Sequence, residues 1–250
     1  MNKKKNFRLR LSDIAHSIGN NAIDLVFPRI CIVCREKLTL DKWLCDSCLE
    51  LLWNNNMKRD ACPLCGQNRI FRKCTCEYNR QEPFESAFSI FDFDETVKSI
   101  VHQFKYDGKK NLAYDMGKKY AGLIPDSFFE GMDAVVCVPL FFVRQMRRGY
   151  NQAEYFAKGI VNGRSNIDYI PNVIVRKRHT GTQTKLSRTR RVKNVEGAFM
   201  IFNGKKKLLQ NKNMIIVDDV ITTAATVGEC AKILLEAGCG KVRVLSLARD

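Results

Sequence analysis

The chain has 250 residues, with 42 Lys and Arg against 26 Asp and Glu, a formal net charge of +16. That length accommodates one α/β domain with its own core plus a small satellite module, and a composition of 45% hydrophobic and 27% charged residues argues against wholesale disorder. The longest apolar stretch, Ala134 to Val143, is only about half of a membrane-spanning helix and is broken by Pro139, and Arg8, Arg10 and Asp13 interrupt any signal-peptide core. A cytoplasmic protein without a membrane span is therefore expected.

In chain order, residues 12 to 27 place Ile14, Ile18, Ala22 and Leu25 at helical spacing behind a possible cap at Ser12, which predicts a short amphipathic helix. Next come eight of the eleven cysteines, in the runs CIVC, CDSC, CPLC and CTC. Two thiolates separated by a tight turn can reach one ion, and disulfides are not expected in a reducing compartment. Cys31, Cys34, Cys45 and Cys48 make one tetrahedral set and Cys62, Cys65, Cys74 and Cys76 a second, so two zinc ribbons in series are predicted, each metal contributing on the order of 10 kcal/mol to folding. Cys74 and Cys76 are one residue closer than the other pairs, so either the second site is looser or the pairs interleave, with one zinc or two. A redox pair is the competing reading, but no βαβ pattern surrounds these residues. Cys137, Cys230 and Cys239 lie in apolar or helical contexts and read as core.

A boundary is placed near residue 80, dividing a ribbon module (1–80) from an α/β domain (81–250). Phe84 to Phe93 alternates and is rich in aromatics, predicting a strand; Glu95 to Tyr106 has Val97, Ile100, Val101 and Phe104 on one face, predicting a helix that stops at Asp107 and Gly108. A helix over 111–124, a buried strand over 133–140 ending at Pro139, a helix over 151–161 and a short strand over 173–177 follow. Residues 178–194 are basic and without periodicity, and read as a long loop. Strands in GAFMIF and NMIIVDD, a helix over 226–238 closed by Gly238 and a final strand in KVRVLSLA complete a parallel sheet flanked by helices. No internal repeat is visible.

Charge is unevenly spread. Thirteen Lys or Arg stand against two acids, Glu154 and Asp168, between Arg144 and Lys193, so this window supplies eleven of the sixteen net charges. It points to an anionic partner, with a solvated basic face as the plain alternative.

The stretch from Met214 to Gly238 is a strand, a loop of small residues and a helix. Backbone N–H groups of such a loop and the positive end of the helix converge on one point, where a phosphate is held, and Thr222, Thr223 and Thr226 add hydroxyl donors. Carboxylates repel a phosphate, so Asp218 and Asp219 must serve another part of the ligand: sugar hydroxyls, or a magnesium through water. A ribose 5-phosphate carrying a magnesium-bound polyphosphate has both ends.

VDDVITTAAT resembles the 5-phosphoribosyl-1-pyrophosphate (PRPP) motif of type I phosphoribosyltransferases. The resemblance implies that Asp218 and Asp219 bind the ribose and that Thr222, Thr223, Ala224, Ala225 and Thr226 form the 5'-phosphate loop. Position 224 is usually Gly in that motif; a positive φ there would cost Ala about 1 kcal/mol. KYDG at 105–108, VPLFFVRQMRRGYNQAE at 138–154 and TGTQTKLSRTRRVKNVEGAF at 180–199 follow a cysteine-rich module in the order seen in the ComF (GntX-like) family of competence-associated proteins, and the likeness spans roughly residues 25–250. It implies a type I phosphoribosyltransferase-like fold, Arg144, Arg147, Arg148 and Asn151 as candidates for the pyrophosphate, and a flexible hood or nucleic-acid segment containing Lys185, Arg188, Arg190 and Arg191. The plain alternatives are a solvated helix-start turn at RGYNQ and a linker over 178–194. Implied partners are PRPP with magnesium, single-stranded DNA and competence proteins; implied activities are a role in DNA uptake, transfer of ribose 5-phosphate to a nucleobase, or a non-catalytic PRPP-sensing adaptor. No motif marks a base-reading residue or a side-chain nucleophile.

Overall fold

The computed structural model describes residues 29–38, 42–57, 60–70, 74, 83–106, 109–164, 166–178 and 194–250. The helix expected over 12–27, Cys76, the Asp107–Gly108 turn, and Lys185, Arg188, Arg190 and Arg191 lie outside these residues. The chain falls into two compact units, 1–51 and 52–250.

The larger unit is built on a five-stranded sheet. Its strands are β1 (Ser86–Asp92), β2 (Ala134–Cys137), β3 (Asp168–Tyr169), β6 (Met214–Ile221) and β7 (Val242–Arg249), in the order β1-β7-β6-β2-β3, and every pairing is parallel. A separate antiparallel pair, β4 (Ile174–Arg176) and β5 (Phe199–Ile201), flanks the basic stretch. Helices are α1 (Asp46–Met57), α2 (Glu95–Tyr106), α3 (Lys110–Tyr120), α4 (Phe142–Arg148), α5 (Gln152–Gly163) and α6 (Ala225–Glu236). No helix among the described residues is long and apolar enough to cross a membrane.

The central strands are apolar on both faces because both faces are covered. Met214 and Ile216 join one cluster with Val227, Ala231 and Leu234 of α6. Ile215 and Val217, at alternate positions, point to the other face and are fully buried as well; α5 packs against β2 and β6. The close approach of α3 and α5 depends on glycine: a Cβ on Gly159 would lie 2.1 Å from the Tyr114 carbonyl oxygen, and one on Gly117 would lie 2.4 Å from that of Phe156. At the start of α2 the predicted Val97, Ile100, Val101 and Phe104 stripe is buried, and the Asp94 carboxylate accepts from the Val97 N–H at 2.8 Å, capping the helix.

Several elements differ from the sequence expectation: β3 is not among the predicted strands, and β4 and β5 pair antiparallel with each other instead of joining the parallel sheet. α1, which is not among the predicted helices, carries Cys48, Leu49 and Leu52 at helical spacing, with Cys45 just before its first residue, a pattern hidden by reading the cysteines only as ligands. β2 stops at Cys137, since Pro139 brings no N–H to a ladder, and a short helix, α4, follows it. β6 runs two residues beyond the strand expected over NMIIVDD, to Ile221 paired with Arg249 of β7, so Asp218 and Asp219 are followed by two further strand residues.

Candidate functional site

The direction of the chain changes between β2 and β6. From β2 it proceeds outward to β3; from β6 it proceeds the opposite way to β7. Right-handed crossovers running in opposite directions put α5 and α6 on opposite faces, which leaves a crevice at the carboxyl ends of β2 and β6, the position where open α/β sheets hold ligands. Asp218, Asp219 and the loop 222–224 are at the end of β6; α4 and the start of α5 follow the end of β2. Topology therefore gathers the predicted ribose, phosphate and pyrophosphate residues at one edge.

Within that edge the residues are held differently. Asp219 is buried, its Oδ1 accepting from the Val220 N–H at 2.9 Å and its Oδ2 from the Gln152 amide at 3.1 Å. Asp218 is half-buried, and its Oδ1 accepts from the Asp219 N–H at 2.8 Å. By the strand's alternation Asp218 shares the α6 side with Met214 and Ile216, and its charge helps burial to hold the thiol of Cys230 on α6 above its ordinary range.

Thr222 and Thr223 are half-buried in the loop, and Ala225 and Thr226 begin α6. Ala224 stands at the cap with φ 60° and ψ −2°, a left-handed conformation, and supplies no side-chain acceptor to the helix start. The positive φ on which the cost of Ala in place of Gly depends is present. The Ala224 carbonyl accepts from the Gly228 N–H at 2.8 Å, and its methyl is buried in the α6 core.

On the other side of the crevice, Arg144, Arg147 and Arg148 lie on α4, Arg147 exposed and Arg148 half-buried. Gly149, at φ 76°, closes α4 by donating to the Gln145 carbonyl at 2.7 Å and turns the chain into α5. Asn151 is buried and caps α5: its Oδ1 accepts from the Ala153 N–H at 3.2 Å, while its amide donates to the Val138 carbonyl at 2.9 Å. It fastens the β2 exit to the start of α5. Arg148 donates from Nη1 to Gln152 Oε1 at 3.1 Å, so an arginine from one side of the crevice and Asp219 from the other share one amide. Sequence reading missed Gln152, whose signal was a polar residue four positions before Phe156 on the buried face. Nearby, Cys137 lies 3.3 Å from the Tyr169 hydroxyl, and burial pushes its thiol up to about 12, the range of an inert core thiol.

The cysteines form two separate groups. The sulfurs of Cys31, Cys34, Cys45 and Cys48 all lie within 4.8 Å of one another, as do those of Cys62, Cys65 and Cys74, so the described cysteines of the two sets do not interleave. Either group could hold a metal ion. Burial raises the Cys31 thiol, but N–H donors from Cys34, Cys45 and Val33 outweigh it and bring the group down to about 7, while the neighbouring thiols of Cys45 and Cys48 are raised, Cys48 chiefly by burial. The two turns also repeat one another at an offset of 31 (62 minus 31). Cys31 N–H donates to Glu36 O and Cys62 N–H to Gln67 O; Arg35 and Gly66 both have positive φ and donate to the carbonyls of Cys31 and Cys62; bridges join Ile30 to Lys37 and Ala61 to Asn68. The repeat is one of backbone geometry, which few identical residues reveal. In the larger unit the second turn is built onto the sheet edge: the Ala87 N–H of β1 donates to Leu64 O at 2.9 Å, and Asn68 bonds the Asp92 carboxylate.

A family model described as a double zinc ribbon domain matches residues 22–80. A solved structure, the glutamine PRPP amidotransferase from B. subtilis complexed with ADP and GMP, overlaps 54% of this chain and 26% of its own with a TM-score of 0.35 and 20% identity, too loose a likeness to argue from. Over 226 residues the chain is 28% identical to competence protein F of Haemophilus influenzae, covering 88% of this chain and 96% of that one. Over 239 residues it is 30% identical to the DNA utilization protein YhgH of Salmonella typhimurium, covering 90% of this chain and 99% of that one. With ribbon module and sheet aligned together over nearly the whole length, the chain belongs to the family of YhgH and competence protein F.

Proposed function

We propose that the chain is a phosphoribosyltransferase-like protein that binds PRPP with magnesium at the carboxyl ends of β2 and β6 and acts in the handling of incoming single-stranded DNA. The observation that carries the ligand assignment is the convergence of an acid pair, a small-residue loop opening a helix, and an arginine-bearing helix at one topological switch point. In this reading Asp219 and Asp218 accept hydrogen bonds from the ribose hydroxyls. The N–H groups of the 222–226 segment and the positive end of α6 hold the 5'-phosphate. Arg144, Arg147 and Arg148 neutralise the pyrophosphate, with Asn151 fixing the backbone from which they project. The half-buried Asp218 would hold a magnesium through water, and the ion would offset the charge of the pyrophosphate. Zinc suits both cysteine groups, because clustered thiolates are its usual structural ligands.

The DNA role draws support from the relatives, one named for DNA utilization and one for competence, and from the basic window that holds Lys185, Arg188, Arg190 and Arg191.

Calorimetric titration of magnesium PRPP into the wild type and into Asp219→Asn tests the ligand. Saturable binding that Asp219→Asn weakens at least about tenfold is expected, since removing a charged acceptor forfeits on the order of 1.5–3 kcal/mol; no binding by the wild type refutes the assignment. Single-stranded DNA binding that falls with salt, with a shallower slope in Arg190→Ala/Arg191→Ala, tests the partner. A slope unchanged by that pair refutes the basic segment as the contact.

A further inference from the structure

We infer that Gln152 is a positioning residue that couples the two halves of the site, so that the arginine on the pyrophosphate side and the acid on the ribose side are set by one buried amide; this rests on the PRPP reading above. Gln152 and Asp219 are 3% and 7% exposed. The amide accepts from Arg148 at 3.1 Å and donates to Asp219 at 3.1 Å. Its orientation follows from chemistry: a guanidinium only donates and a carboxylate only accepts, so the oxygen must face Arg148 and the nitrogen Asp219. Only an amide of this length serves both neighbours. A carboxylate at position 152 would keep Arg148 and repel Asp219, and an ammonium would keep Asp219 and repel Arg148.

The relay is anchored at both ends. Gln152 is the first residue of α5, immediately after Asn151, whose side chain caps the helix and grips Val138. Asp219 has its second oxygen on the Val220 N–H, so the Gln152 bond settles the rotation of the carboxylate. When a pyrophosphate draws Arg148 toward itself, the amide loses a donor on its oxygen, and the change reaches Asp219 without any movement of the strand. Filling one half of the site thereby alters the acceptor geometry of the other. A Gln152 that only filled space would tolerate any side chain of equal size.

Two near-isosteric variants separate these roles: Gln152→Glu and Gln152→Met, each titrated calorimetrically with magnesium PRPP and expressed as a ratio to wild type at the same pH, with folding checked by circular dichroism. The introduced carboxylate faces Asp219, and Gln152→Glu is expected to bind at least about tenfold more weakly than wild type. Gln152→Met, which removes the amide without adding a charge, is expected to weaken binding less than Gln152→Glu. Arg148→Ala combined with Gln152→Met supplies the readout that a space-filling role would not move, and decides should Gln152→Glu not fold, since a relay makes their losses overlap rather than multiply. Wild-type binding retained in both variants, or fully multiplying losses, overturns the relay while leaving PRPP binding intact. Absence of binding by the wild type overturns both.

Discussion

Replacing Ala224 by Gly tests whether the left-handed cap is a defect or a balanced substitution. Ala at φ 60° carries a strain of about 1–2 kcal/mol that Gly would not. Against that relief stand two losses. The Ala224 methyl is buried in the cluster formed by Val227, Ile221 and the rest of the α6 face, and removing it costs about 0.8 kcal/mol. Glycine also widens the unfolded ensemble by about 0.4–1 kcal/mol. The terms nearly cancel, so Ala224→Gly is expected to change stability by less than about 1 kcal/mol. Ala224→Val, which adds β-branching at a positive φ in a packed site, is expected to lose about 3 kcal/mol or more. Urea unfolding with an unchanged m-value reads both numbers. Stabilisation by Ala224→Gly of more than about 2 kcal/mol would show that the methyl contributes nothing to the core; an equal destabilisation would show that the cap is not strained.

The packing of α3 on α5 makes Gly159→Ala a severe change: its Cβ would meet Tyr114 O at 2.1 Å and Lys118 N at 2.9 Å, both backbone, so the helices must part and a loss of about 3 kcal/mol or more is expected in thermal unfolding. Because the second cysteine turn is bonded to β1, Cys62→Ser is expected to lower the unfolding temperature of the sheet-containing unit; hydrogen exchange at the β1 amides reads the effect, and protection equal to wild type would refute it. Glu85 accepts from Arg243 at 2.8 Å, which holds its carboxyl below the usual range. A depressed carboxylate contributes stability that is present above its unfolded pKa of about 4.3 and is lost as pH falls through the folded value; Glu85→Gln should therefore flatten part of the acid limb of a stability–pH curve and leave its neutral limb parallel to wild type.

The order of strands and helices was legible because apolar runs and amphipathic stripes are local signals. Val97, Ile100, Val101 and Phe104 are buried as their spacing predicts, and the β6 run is covered on both faces. What escaped was set by distant partners. The three residues of β4 pair with three of β5 across more than twenty positions of sequence, and α4 exposes Phe142, Val143 and Met146 where an amphipathic reading looks for burial. Gln152 escaped for the same reason: an amide in the first turn of a helix has an ordinary surface meaning until β6 is brought beside it. The acid pair and the small loop were visible as types, but the strand hydrogen bonds that carry both acids inside β6 depend on the length of β7.

That placement explains why the carboxylates must be adjacent. Consecutive strand residues point to opposite faces, so Asp219 turns toward α5 and meets Gln152, while Asp218 turns toward α6. In the middle of a sheet such a pair could never address one ligand. At the end of a strand that borders a switch point, the two faces meet in one crevice, so that under the proposed PRPP reading neighbouring acids would reach a single small molecule from both sides of the sheet. Their environments then diverge: the α5 side supplies an amide that fixes Asp219, and the α6 side leaves Asp218 half-exposed beside a helix N-terminus. In the proposed PRPP reading, one acid is held to define a geometry, and the other keeps access to solvent and to a cation. A pair separated by one residue would put both on the same face and lose that division.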